Sequence, residues 1–341
     1  MLIHYVLPLL STLELPMNNL LLLNLLRFEL SVIFYLFCLF SPSAGIGMSM
    51  NFTSTIGIVP HYFDKRKSVA YAAPGLGSGI AMVTFPYILT NLLQAYNYKL
   101  TVLYLSPLFL LTITAPLVFK SQLPTNKPES LITALKQFIK PLRQFVTPFY
   151  LLNAYFWNGG HVSVMVLLFS YITRRSDISV ATLAYSLLGA GFLCGTFLIV
   201  VYLMKFSINH YILQISSHIV LAATCFTFAF TDNIYVYYVA ALINNMAYGA
   251  VIANMACLSV HLYPCSQVES AFSFQEAVGG VSGIIAPITA GLVQSIYGDR
   301  AGLCYIAAHG LLAAVSLIIP ALIRRQLWKP YRGDDSATSN T

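Results

Sequence analysis

Two long uncharged runs meet at a short charged hinge. Residues 32–60 carry no Asp, Glu, Lys or Arg, and neither do residues 68–98; between them stands Asp64-Lys65-Arg66-Lys67. Each run can cross a hydrocarbon layer about 30 Å thick as a helix, which takes about 20 residues. The hinge has to stay in water. Its three cations favour the cytoplasmic side, because an excess of Lys and Arg beside a span sets its orientation.

Composition agrees with that reading. The chain of 341 residues is 58% hydrophobic and 9% charged, whereas roughly a quarter of a soluble domain is charged. Its mean hydropathy is +0.75. The net charge of +7 sits in short clusters between apolar runs and not along one face, which points to membrane orientation and away from a nucleic-acid partner. Cys38, Cys194, Cys225, Cys257, Cys265 and Cys304 are widely scattered and read as packing residues. His61, His161, His210, His218, His261 and His309 show no metal-ligand spacing and read as interfacial anchors, so no metal and no cofactor is expected. Neither a phosphate-binding loop nor a nucleophile elbow occurs, which argues against an enzyme.

Along the chain, residues 1–30 predict one helix distorted by Pro8, Glu14 and Pro16. Ser68–Tyr98 predicts a single helix that tolerates Pro74, and Leu100–Phe119 a further span containing Pro107 and Pro116. The polar stretch 121–148 reads as a cytoplasmic linker with a short interfacial helix from Leu131 to Phe145. Six more apolar runs follow, near 149–171, 181–204, 211–230, 234–260, 270–296 and 302–323. The expected division is an incomplete N-terminal transmembrane half at 1–120, the linker at 121–148, a six-helix C-terminal half at 149–323 and a disordered cytoplasmic tail at 324–341. Putting the hinge, linker, Lys205 loop and tail inside gives thirteen Lys and Arg there against four outside. Both termini are then cytoplasmic.

Certain residues carry a resemblance. Gly45-x-Gly47, Asn51, Tyr62-Phe63-Asp64-Lys65-Arg66-Lys67, Ala70 and Gly77-x-Gly79 resemble the fourth helix, cytoplasmic hinge and fifth helix of the monocarboxylate transporter family, within the major facilitator superfamily. Ala286-Pro287, Gly291 and Tyr297-Gly298-Asp299 are similar to the end of that family's eleventh helix. The resemblance implies an all-α polytopic bundle of the major facilitator type. This chain would hold about ten transmembrane helices, shortened from twelve by the first two.

For the site, the resemblance assigns a cytoplasmic hinge motif to Tyr62, Phe63, Lys65, Arg66 and Lys67. It assigns packing and gating to Gly45, Gly47, Gly75, Gly77, Gly79, Pro287 and Gly291. Close approach of lipid-embedded helices needs such small residues. Lactate carriers of the family hold an aspartate and an arginine one turn apart on the eighth helix; alignment puts Gly191 and Gly195 there, so that pair is missing. Glu276 is the one carboxylate well inside an apolar run and is a functional candidate, because a buried charge is costly in lipid. With Asn51, Asn244 and Asn245 it makes up the candidate substrate pathway. Asn153, Asn158 and Asn254 read instead as hydrogen bonds between helices.

The expected function is secondary-active transport of a small organic solute, a monocarboxylate or a related compound, by alternating access, with coupling to a proton left open. The alternative is a pseudo-transporter or incomplete gene product with a binding or regulatory role. The resemblance implies a plasma-membrane location and a single-pass immunoglobulin-like glycoprotein as accessory partner.

Overall fold

The computed structural model describes residues 67–114, 131–206 and 209–323, all within a contact unit that begins at Thr53. Gly45, Gly47, Asn51 and hinge residues Tyr62, Phe63, Lys65 and Arg66 lie outside them. Lys67 opens the first described helix, α1 (Lys67–Ala72). There follow α2 (Pro74–Ala95), α3 (Tyr98–Thr114), α4 (Leu131–Ile139) and a 3-10 turn (Lys140–Arg143). The remaining helices are α5 (Thr147–Thr173), α6 (Ile178–Lys205), α7 (His210–Phe230), α8 (Ile234–Leu262), α9 (Cys265–Tyr297) and α10 (Asp299–Ile323). No strand occurs among the described residues.

Long charge-free sequences form these helices, and local signals end them. Asn209 accepts from the Tyr211 and Ile212 amides at 3.0 and 3.3 Å, capping α7; Asn233 caps α8 through the Tyr235 amide at 2.9 Å. Gly298, at φ +90°, turns the chain from α9 into α10, a conformation in which a Cβ is unwelcome.

Prolines correct two expectations. Ser68–Tyr98 is not one unbroken helix, because Pro74 lacks the N–H that would extend the ladder. Ala73 nevertheless keeps helical dihedrals of −59° and −39°, and its amide reaches the Val69 carbonyl at 3.0 Å, so the path of the chain runs on. The short helix expected to reach Phe145 stops at Ile139, and a 3-10 turn containing Pro141 begins at Lys140.

Six described helices are long and apolar enough to span a membrane: α2, α6, α7, α8, α10 and Gln267–Tyr297 of α9. Helix α5 is 27 residues long but less apolar, since it carries Asn153, Asn158 and His161 into the interior.

Small residues set the packing. Helix α8 lies along α6 so closely that a Cβ at Gly191 would run into the Leu242 carbonyl oxygen, and one at Gly195 into that of Met246. Gly159 of α5 likewise abuts Ala286 of α9, and Gly310 of α10 abuts Ala222 of α7. Helix α2 rests on α6 through Gly75 against Thr196 and Gly79 against Leu193, while Gly77 has nothing within 4 Å.

Candidate functional site

Buried amides first tie the bundle together. Asn153 of α5 bonds the His218 Nε2 of α7 at 2.9 Å and donates to the Ala313 carbonyl of α10 at 2.8 Å. Asn158 donates to the Gly279 carbonyl of α9 at 2.6 Å. Asn254 of α8 donates to the His210 carbonyl and to Gln214 Oε1 at 2.8 and 2.9 Å, while its Oδ1 meets His210 Nδ1 at 2.6 Å. Each amide thereby answers polar atoms that lipid cannot.

Three of the histidines depart from their expected interfacial role, while His210 opens α7 and His261 lies in the last turn of α8. His161, His218 and His309 lie in the middle of α5, α7 and α10, and His218 is fully buried. They fall on inward stripes, where amides and aromatic rings receive them.

Glu276 stands on α9, eleven residues past Cys265, which is about 16 Å along the axis at 1.5 Å per residue. That is about three turns from the start of the helix. Its side chain is half-buried, with no ion pair or hydrogen bond among the described residues. It lies within electrostatic reach of the Tyr150 and Tyr248 hydroxyls. Tyr150 also bonds Ser259 and neighbouring Gln275. The Tyr248 ring stacks on His161 at 3.3 Å between centroids and is flanked by Phe192 at 5.6 Å and Trp157 at 5.9 Å.

Helices α5, α6, α8 and α9 thus bring one carboxyl group, tyrosine hydroxyls and an aromatic wall together. No lysine or arginine sits mid-span on these described helices.

The other sequence candidates are distributed differently. Asn244 turns to α7, donating to Thr224 Oγ1 at 2.6 Å. Asn245 is fully buried, and neither end of its amide has a protein partner. Pro287 and Gly291 lie on α9, with Gly291 at 4.0 Å from Leu167 for a built Cβ. Gly191 and Gly195 face the backbone of α8, which leaves no room for a charged pair.

Sequence reasoning missed Tyr150, Tyr248 and Trp157, which look like any other aromatic residues in a chain with 22 tyrosines. It also missed a charged clasp. Arg174 pairs with Asp299 at 3.2 Å, and Asp232 with Arg175 at 2.5 Å and Arg300 at 3.7 Å. Arg175 also lies over the Tyr171 ring, 4.5 Å from its centroid. The clasp joins the α5–α6, α7–α8 and α9–α10 turns, and the signal available was that alternate turns of a bundle share one end.

The sequence matches the profile of the Major Facilitator Superfamily over residues 15–287, well over half its length. The chain belongs to that superfamily and is a multi-pass membrane transporter. Comparison with curated proteins gives no match.

Proposed function

We propose that this transporter moves a small organic solute, a monocarboxylate or a related compound, by alternating access, with Glu276 carrying a coupled proton. The observation behind this reading is the isolation of Glu276: a half-buried carboxyl group mid-span, with no basic partner among the described residues. A carboxylate solute beside it meets a like charge and stays only if the two share a proton, since two adjacent carboxylates cannot both ionise cheaply. Proton and solute then travel together. Tyr248, His161 and Phe192 supply the wall against which the organic part rests.

Alternating access is rocking of two halves about a midplane site. In this reading Gly75 and Gly79, which pack α2 against α6, serve that movement, and Gly45, Gly47, Gly291 and Pro287 take the same role. Tyr62, Phe63, Lys65, Arg66 and Lys67 form the cytoplasmic hinge that holds one gate state. The transporter resides in the plasma membrane with both termini inside and uses a single-pass glycoprotein for delivery.

Uptake of labelled monocarboxylates into vesicles, with and without a pH gradient, tests the reading. The gradient should accelerate uptake by the native chain, and Glu276→Gln should exchange solute without that acceleration. Acceleration retained by Glu276→Gln would remove Glu276 as the proton carrier. A second reading, a binding protein that moves nothing, is favoured by Gly191 and Gly195 facing α8 where lactate carriers hold their charged pair. No uptake of any solute by folded protein would select it.

A further inference from the structure

A cavity of about 20 Å³ lies between α5, α7, α8 and α10, lined among others by Trp157, His161, Cys225, Asn244 and Gly310. Three of its lining residues each keep one buried polar atom without a protein partner: Trp157 Nε1, His161 Nδ1 and Asn244 Oδ1. Trp157 and Asn244 are 6% and 1% exposed. We propose that this cavity is a binding site for a single water molecule that links α5 to α8.

The size fits, since a cavity needs about 10–15 Å³ to hold one water. The chemistry selects the occupant. Indole Nε1–H is a donor only. The orientation of the Asn244 amide follows from Thr224, whose hydroxyl hydrogen goes to the Val220 and Leu221 carbonyls at 3.0 and 2.9 Å. Thr224 Oγ1 therefore accepts from Asn244 Nδ2 at 2.6 Å, leaving Oδ1 as an acceptor for the cavity. A cation is repelled by the indole N–H, and an anion by the amide oxygen. Water answers both, accepting from Trp157 and donating to Asn244, with His161 Nδ1 as its third partner. Three bonds are typical of a buried water.

The bound water also serves His161. Because water donates as readily as it accepts, Nδ1 keeps a partner in either neutral tautomer, and the ring stays seated on Tyr248. Leaving such atoms unpaired would forfeit their solvation with nothing in return.

Trp157 reports on its own site. The chain has two tryptophans, so Trp328→Phe leaves Trp157 as the sole indole emitter in the full-length protein in nanodiscs. Adding Asn244→Leu removes the acceptor, and the emission should move to shorter wavelength as the indole N–H loses its water. Unchanged emission in a folded variant would overturn the site. Radiolytic hydroxyl labelling of the unsubstituted chain needs no variant: once each yield is divided by the intrinsic reactivity of its ring, a held water should leave Trp157 labelled several-fold more than fully buried Phe272. Equal labelling of the two would overturn the proposal as well.

Discussion

His161 of α5 and Tyr248 of α8 lie ring on ring, their centroids 3.3 Å apart and their planes 7° from parallel. One contact thus links a helix that carries three interior polar side chains to the helix whose Asn244 and Tyr248 face two different neighbours. Aromatic pairs contribute about 0.5–1.5 kcal/mol beyond the area they bury. Tyr248→Leu and His161→Leu should each lower the unfolding temperature in detergent, and the double variant should lose less than the sum. Strict additivity would mean that the stack carries no coupling.

Gly77 and Gly79 stand two residues apart and behave oppositely. A Cβ at Gly79 would lie 2.8 Å from the Leu193 Cα, a backbone atom that cannot step aside, whereas one at Gly77 meets nothing within 4 Å. Gly79→Ala should cost about 1–3 kcal/mol through overpacking, while Gly77→Ala should be neutral or gain up to about 1 kcal/mol from helix propensity. Thermal unfolding of the two variants, measured side by side, checks the contrast.

Asp232 faces both Arg175 and Arg300, yet its side chain is 69% exposed. Exposed pairs contribute about 0–1 kcal/mol and are screened by salt. Asp232→Asn should therefore lower stability slightly at low ionic strength and hardly at all in high salt. A loss independent of salt would assign Asp232 a role outside the clasp.

Gly298 turns α9 into α10 at φ +90°, with open space where a Cβ would go. Its ψ of 169° puts it in the extended positive-φ region that only glycine adopts readily, so Gly298→Ala should cost about 1–3 kcal/mol from the dihedrals alone, and Gly298→Asn as much, since asparagine tolerates the left-handed helical region and not this one. A clearly smaller loss for Gly298→Asn would indicate that the turn shifts toward the left-handed helical region.

Much of the fold was legible in the sequence. The six runs from 149 to 323 emerged as α5 to α10 with ends displaced by a few residues, because a backbone in lipid has no partner but itself and must be helical wherever charge is absent for long enough. Caps such as Asn209 and Asn233 and the turn at Gly298 were equally local. The neighbours of each side chain were not. Asn244 and Asn245 are adjacent in sequence but about 100° apart around the helix, so one meets Thr224 on α7 and the other is sealed without a partner. Gly75, Gly77 and Gly79 form one row in the sequence, yet only the first and last touch α6. Apolar residues cover nearly the whole circumference of these helices and leave no polar face to mark the inward side. The sequence by itself determined that this chain builds membrane helices and, to within a few residues, where they end; the packing of α5, α6, α8 and α9 decided that Glu276, Tyr248 and His161 are neighbours, because rotation about each helix axis is set by its neighbours.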